Sequence, residues 1–221
     1  MARGFATVQE RIATLASSQR GELCPFAPVG RAMPNESALK YPLLAKPNIR
    51  LHGTVDDAMY ASFCDQIRTC PADGMLVVTL TTLGGDPEVA RAMGDDIRLI
   101  REFEERTILF LGKVAVYSAG ATFMSAFPVE HRFLTRGTRL LVHERQIDST
   151  VRLSGPLKMQ VANLKAKLNE IQTSVEIEEE GFRDLVDGSK VTLQEVCRRA
   201  PDNWYIGAEE ARDLGLVLDV I

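Results

Sequence analysis

The sequence predicts an α/β domain built around a largely parallel sheet, because strand-like and helix-like segments alternate along most of the chain. The clearest strand is "MLVVTLTT" (75–82), a nearly unbroken apolar and β-branched run of the kind that is buried on both faces. The helix after it has Asp86 as a candidate N-cap and Pro87 at its first position. Its apolar residues recur at helical spacing, and these are Val89, Met93, Ile97 and Ile100.

Residues 1–48 precede this alternation and are expected to form an appendage to a domain that covers 49–221. Apolar residues at helical spacing predict a short amphipathic helix near the start of the appendage, and these are Phe5, Val8, Ile12 and Leu15. This stripe, together with Glu10, argues against an organelle transit peptide. Prolines punctuate 24–37 and 40–48, as is typical of irregular linkers.

Seven further elements are predicted between the start of the domain and residue 143. In chain order they are a strand (49–55), a helix that carries Met59, Phe63 and Ile67, two strands (107–111 and 113–116), a short helix (119–127) and two short strands (132–135 and 139–143). The apolar and β-branched composition of the strands contrasts with the helical spacing of the helix residues, which supports the alternation.

The carboxyl-terminal part is predicted to be mostly helical. A long helix is expected to start at Ser154 as N-cap, and its apolar stripe consists of Val161, Leu164, Leu168, Ile171 and Val175. Thr192 and Glu195 have the spacing of a capping box at the start of another helix. A helix over 208–215 and a terminal strand over 216–221 complete the domain.

Composition excludes several function classes. With 221 residues and 45% hydrophobic content, the chain is long enough to bury a complete core. Its net charge of −4 with mixed signs argues against binding to nucleic acid or to an anionic membrane surface. No apolar run approaches the length of about 18 residues that a membrane span needs, and the amino terminus lacks the apolar core of a secretion signal.

The cysteine pattern predicts neither a metal site nor a cofactor. Cys24, Cys64, Cys70 and Cys197 form no CxxC pair, and no histidine lies near them at ligand spacing. Such cysteines are typical of reduced thiols, which indicates a cytoplasmic protein.

Ser118 is the first candidate for chemistry, since it ends a strand and begins a helix in "VAVYSAGATF" (114–123). Serine becomes a useful nucleophile only beside a general base and donors for the developing oxyanion. Val116 stands where the GxSxG elbow of many α/β hydrolases has its first glycine, so that motif is absent. Taken alone, Ser118 fits a structural small residue as well as a nucleophile, and Ser125 is expected to serve packing.

Three histidines are available as a base. His143 ends an apolar strand, at the kind of position where open α/β sheets often form ligand crevices. His52 lies inside a strand, and His131 is expected at the surface. Gly84 and Gly85 follow the buried strand and precede a capped helix, so their backbone N–H groups could face an anion or simply form a tight turn.

Four segments in order resemble the ClpP family, the proteolytic subunits of the Clp protease, which has the ClpP/crotonase fold. They are "VVTLTTLGGDPEVARAMGDDIR" (77–98), "VYSAGATF" (116–123), "RLLVHE" (139–144) and "DNWYIGAEEARDLGLVLDVI" (202–221). The resemblance covers the chain from about residue 49 to its end. It implies repeated β-β-α units and a long protruding handle helix near 155–180.

The resemblance also implies an activity, that of a serine endopeptidase which cleaves peptides or unfolded proteins through an acyl-enzyme. Ser118 matches the nucleophile, His143 the base and Asp202 the orienting carboxylate, while the oxyanion donors match a backbone amide of the Gly84–Gly85 pair and that of Ala119. Members of the family form stacked heptameric rings that are fed by a separate AAA+ unfoldase, so a homo-oligomer is expected.

The sequence departs from the family pattern at several of these positions. Leu83 replaces a proline, Tyr117 replaces a small residue, and Glu144-Arg145 replaces the Gln-Pro that commonly follows the base. Two alternatives therefore stand beside the peptidase, namely a non-catalytic ClpP-like subunit and another member of the broader fold. The latter includes a crotonase-type acyl-CoA enzyme or a Ser–Lys peptidase that uses Lys113 or Lys158.

Overall fold

In the computed structural model, which describes residues 40–221, the strands form one seven-stranded sheet. They are β1 (Ile49–His52), β2 (Leu76–Thr82), β3 (Ile108–Tyr117), β4 (Arg132–Leu134), β5 (Arg139–Val142), β6 (Trp204–Gly207) and β7 (Asp219–Val220). The order is β1-β2-β3-β4-β7, with β5 paired to β3 and β6 paired to β5. Every pairing is parallel except β5–β6, so the predicted α/β class with a largely parallel sheet is confirmed.

Six α-helices connect the strands of the described chain, and they are α1 (Asp57–Thr69), α2 (Pro87–Phe103), α3 (Ala119–Ser125), α4 (Leu157–Val186), α5 (Leu193–Arg199) and α6 (Ala208–Asp213). The Asp86 carboxylate caps α2 as predicted, accepting the N–H of Glu88 at 2.7 Å. The Thr192 hydroxyl accepts the N–H of Glu195 at 3.2 Å, which is one half of the predicted capping box. Between residues 40 and 221, no helix is both long and apolar enough to cross a membrane.

The long helix α4 differs from its prediction at the start. It begins at Leu157 after Pro156 rather than after Ser154, because the fixed φ of proline suits the entry to a helix. The predicted apolar stripe is present, but its five members are 39–53% exposed, and these are Val161, Leu164, Leu168, Ile171 and Val175. Only the end of α4, with Phe182 and Leu185, is buried in the core. Within residues 40–221, most of the apolar face of α4 therefore has no partner.

The third strand is one continuous element where two strands were predicted. In its first half β3 pairs with β4, and in its second half it pairs with β5. Opposite β2, Leu80 faces Gly112 and Thr82 faces Val116, so β3 carries two more residues than β2 over this stretch. The extra length forms a bulge at Val114, whose φ is 61°. The bulge explains why β3 can change partners without ending.

The sheet is buried on both faces, which explains the apolar run in β2. Leu76, Val78 and Leu80 belong to the larger core cluster that also contains residues of α1, α2 and α3. On the opposite face Val77 packs in a smaller cluster together with residues that precede and follow it in the sequence, which are Tyr41, Leu44, Leu109, Leu111 and Phe133. Residues 41–44 thus cover the second face. The boundary at 48/49 stays a prediction, and the amphipathic helix predicted near Phe5 lies outside the described residues.

A buried arginine joins three parts of this architecture. Arg132 at the start of β4 is 1% exposed, and its guanidinium donates to the carbonyls of Phe127 at 2.6 Å and Leu185 at 2.8 Å. Longer bonds reach the carbonyls of Ser125, Asp184 and Leu216. Burial lowers the pKa of Arg132 to about 10, so the group stays charged at neutral pH. Arg132 therefore ties the ends of α3 and α4 to the sheet.

Replacing Arg132 by Met is expected to lower the free energy of unfolding by about 3–5 kcal/mol, because buried carbonyls would lose their donor. The measurement is urea unfolding followed by fluorescence of Trp204, the only tryptophan in the sequence. As a control, Arg136→Met at an exposed position should change the same quantity by less than about 0.5 kcal/mol. Equal effects of the two substitutions would contradict the role of Arg132.

Candidate active site

Ser118 and His143 follow the ends of two paired strands. Ser118 comes directly after β3 and His143 directly after β5, and the two strands run parallel with Tyr117 opposite Leu141. The backbone N–H of Ser118 donates to the carbonyl of Leu141 at 2.9 Å. Because parallel strands deliver their carboxyl ends to the same edge of a sheet, the pairing places both residues at one crevice.

Asp202 lies at the same end of the sheet, shortly before a third strand. The antiparallel partner of β5 is β6, in which Trp204 faces Val142. Continued beyond the strands, that register places Asn203 opposite His143 and Asp202 opposite Glu144. Asp202 ends a short 3-10 turn, is exposed, and its side chain forms no hydrogen bond to residues 40–221. Asp202 thus lies at the same end of the sheet as His143, and no hydrogen bond joins the two side chains within the described residues.

The backbone at Ser118 has the conformation expected of a sharp strand-to-helix turn. Its φ of 54° lies in a region that residues other than glycine rarely adopt, at a cost on the order of 1–3 kcal/mol. Ser118 occupies the N-cap position of α3, yet its hydroxyl caps no amide of that helix. Ser118 is half-buried, and within residues 40–221 its hydroxyl forms no hydrogen bond.

The amides predicted as oxyanion donors differ in availability. The N–H of Gly84 already donates to the hydroxyl of Thr82 at 3.0 Å. The N–H groups of Gly85 and Ala119 form no backbone hydrogen bond within the part of the chain that the structure describes. The sequence left undecided which of the two glycines supplies the oxyanion donor, and Gly85 is the one whose N–H is free in the described chain.

A cavity of about 680 Å³ joins these groups. Its lining includes Ser118, Ala119, His143 and Gly85, together with residues of α2 and α4. Four other candidate residues do not line the cavity, and these are Gly84, Asp202, Lys113 and Lys158. Within residues 40–221 there is no group of three or more His, Cys, Asp or Glu side chains that could hold a metal ion.

The ring of His143 is held by the chain segment that follows it. Its Nδ1 lies 2.6 Å from the backbone carbonyl oxygen of Glu144. A carbonyl can only accept a hydrogen bond, so Nδ1 is the donor, and in the tautomer with a proton on Nδ1 alone Nε2 is an acceptor. This is the tautomer that a base for a neighbouring hydroxyl requires.

Arg145 fixes the same segment to two helices, which the sequence did not reveal. Its guanidinium contacts Glu88 in the first turn of α2 at 2.7 Å, and its backbone N–H donates to Glu178 on α4. Partial burial raises the pKa of Glu88, but hydrogen bonds and charge from Arg145 and Arg91 outweigh it, so that the pKa lies below its ordinary value. The pKa of Glu178 lies above its ordinary value because the group is partly buried. The charge of Glu144 raises this pKa further, whereas the hydrogen bond from the N–H of Arg145 lowers it.

The other serine and histidine candidates differ in their surroundings. Ser125 also lines the cavity, but the residue is buried and its hydroxyl donates to the carbonyl of Thr122 at 2.7 Å, as suits a packing role. His52 is exposed, whereas His131, expected at the surface, is half-buried, and burial lowers its pKa. Tyr117 packs edge-on against Tyr205, with ring centroids 5.6 Å apart.

Comparisons with known proteins agree with this arrangement of elements. A sequence model of the Clp protease family matches residues 35–221. The ATP-dependent Clp protease proteolytic subunit 3 of Rhizobium etli is 23% identical over 181 residues, which cover 81% of this chain and 86% of that protein. Proteolytic subunit 2 of Pseudomonas aeruginosa is 25% identical over 171 residues, covering 76% and 78%.

A solved structure also shares the fold. A ClpP1 point mutant from Listeria monocytogenes superposes with a TM-score of 0.62 at 18% identity, covering 81% of this chain and 94% of that chain. At this identity the likeness concerns the fold, and it confirms the ClpP-like architecture.

Replacing Gly85 by Ala is expected to destabilise the protein more than replacing Gly53 by Ala. Both glycines have a positive φ, but a Cβ at Gly85 would lie 2.2 Å from the carbonyl oxygen of Val55, whereas a Cβ at Gly53 meets nothing within 4 Å. The difference in unfolding free energy should be at least about 2 kcal/mol, measured by urea unfolding. Equal losses would show that the turn at Gly85 tolerates a side chain.

Proposed function

Because this chain belongs to the Clp protease family, we propose that it is a serine endopeptidase that cleaves peptides or unfolded proteins. The observation that carries the proposal is that Ser118 and His143 line one cavity with the free backbone amides of Gly85 and Ala119. A nucleophile, a base and two donors are the groups that acyl transfer requires.

In the proposed mechanism, Nε2 of His143 takes the proton of Ser118 as its Oγ attacks a peptide carbonyl. The oxyanion that develops accepts hydrogen bonds from Gly85 and Ala119, and the dipole of α3 favours its negative charge. His143 then gives the proton to the leaving amine, and water hydrolyses the acyl-enzyme by the same route. Asp202 accepts a hydrogen bond from the Nδ1–H of His143 after the ring turns from the carbonyl of Glu144, and this stabilises the imidazolium.

We also propose that the protein works in the cytoplasm as an oligomer, with α4 as the contact between rings. The exposed apolar stripe of α4, from Val161 to Val175, supports this, since a second copy of the helix would remove it from water. Stacked heptameric rings and delivery of substrate by a separate AAA+ unfoldase follow from the family resemblance alone.

A non-catalytic subunit is the second candidate. The observation that favours it is the partner of the His143 ring, which is a backbone carbonyl and not Asp202. In such a subunit the ring would never turn to Asp202, and Ser118 would stay unreactive.

A fluorophosphonate probe is expected to label the wild-type protein at Ser118 alone, as located by mass spectrometry. Ser118→Ala should abolish labelling. His143→Ala and Asp202→Asn should each slow it about 100-fold or more, because the base, or the carboxylate that stabilises its charged form, is lost. Ser125→Ala serves as the control and should label normally.

An unreactive wild-type protein that is folded by circular dichroism would favour the non-catalytic subunit. Unchanged labelling of Asp202→Asn would leave Ser118 and His143 in place and remove Asp202 from the mechanism.

The stripe of α4 predicts the effect of polar substitutions on assembly. Leu164→Gln with Leu168→Gln should lower the mass of the oligomer measured by light scattering after gel filtration, because the apolar contact between copies is lost. Ala162→Gln with Ala166→Gln on the opposite side of α4 should leave the mass unchanged. Equal masses for both double variants would contradict the proposed contact.

A further inference from the structure

The tautomer of His143 depends on one peptide group in this structure. The carbonyl that accepts the hydrogen bond from Nδ1 belongs to Glu144, and the N–H of the same peptide unit belongs to Arg145. Because a peptide bond is planar and trans, its C=O and N–H point in opposite directions. Whatever holds the N–H of Arg145 therefore also aims the carbonyl at His143.

Glu178 is the group that holds this N–H. Its Oε2 accepts the hydrogen bond from across the cavity, 33 residues further along the chain on α4. Within the described chain, the bonds that connect residues 144–153 to other elements all come from Arg145, whose guanidinium adds the contact to Glu88 at 2.7 Å. The segment has no helix or strand of its own, so these two anchors determine where its first peptide lies.

We propose that Glu178 is a positioning residue of the candidate active site, which orients the Glu144–Arg145 peptide so that the Glu144 carbonyl keeps His143 in the Nδ1–H tautomer. This inference rests on the proposed function of Ser118 and His143. It gives the Nδ1 proton two acceptors, the Glu144 carbonyl in the resting arrangement and Asp202 in the proposed mechanism. It also links α4, the proposed contact between rings, to the base.

Because the Nδ1 proton has two acceptors, removing both should slow labelling of Ser118 by more than the product of the two separate effects. In the wild-type background, Glu178→Ala should slow fluorophosphonate labelling of Ser118 by about threefold or less, because Asp202 still holds the ring. In the Asp202→Asn background it should slow labelling at least about tenfold further, since neither the Asp202 carboxylate nor the aimed Glu144 carbonyl would then select the tautomer.

Two matched variants separate this role from a structural one. Glu178→Gln keeps an oxygen that accepts the N–H of Arg145, so in the Asp202→Asn background it should label like Asp202→Asn alone. Glu179→Ala removes a carboxylate one position along α4 that pairs with Arg183, and it should change labelling less than about twofold in either background. The same factor for Glu178→Ala in both backgrounds would overturn the inference while the proposed function stands.

A second measurement does not depend on activity. The ¹⁵N chemical shifts of the neutral His143 ring, assigned by comparison with His143→Ala, report which nitrogen carries the proton. The expected result is the Nδ1–H tautomer in Asp202→Asn and a shift toward Nε2–H when Glu178→Ala is added. An unchanged tautomer would overturn the role of Glu178, even if the wild-type protein proved unreactive and the proposed function failed.

Discussion

The change of partner along β3 is the constraint on which the site depends. Its first half pairs with β4 and its second half with β5, and the bulge at Val114 provides the extra length between them. Without that switch, β5 would have no place beside Tyr117, and the ends of β3 and β5 would not meet. Since β6 pairs only with β5 in the described sheet, the placement of Asp202 depends on the same switch.

Buried polar contacts then hold the helices around this sheet end. Arg132 connects the ends of α3 and α4 through backbone carbonyls, so the helix that follows Ser118 and the helix that carries Glu178 share one anchor. Gly85 leaves no space for a side chain beside Val55, which fixes the turn that exposes its N–H. The shape of the cavity therefore depends on contacts of residues other than Ser118 and His143.

Much of this could be predicted from the sequence, because the strands and the start of α2 have strong local signals. The apolar run of β2, the cap at Asp86 and the strand ends at Ser118 and His143 all depend on neighbours in sequence. The choice between Gly84 and Gly85 could not be predicted, since it depends on a hydrogen bond from Gly84 to the Thr82 hydroxyl.

Long-range polar contacts could not be predicted from the sequence either. In the sequence Arg132 resembles an ordinary surface arginine at the start of a strand, and only the convergence of distant carbonyls explains its burial. Glu178 lies 33 residues from Arg145, with no spacing rule to connect them. The sequence contained one signal for this contact, the Glu144-Arg145 pair that departs from the family pattern after His143. That departure indicated a change at the site but did not reveal which residues Arg145 contacts.

We propose that the ends of β3 and β5 form an acyl-transfer site with Gly85 and Ala119 as donors. A crystal structure of the protein inhibited by a fluorophosphonate would test this geometry. The expected adduct has phosphorus bonded to Oγ of Ser118, with the phosphonyl oxygen accepting hydrogen bonds from the N–H groups of Gly85 and Ala119. A phosphonyl oxygen directed away from both amides, or an adduct on another residue, would contradict it.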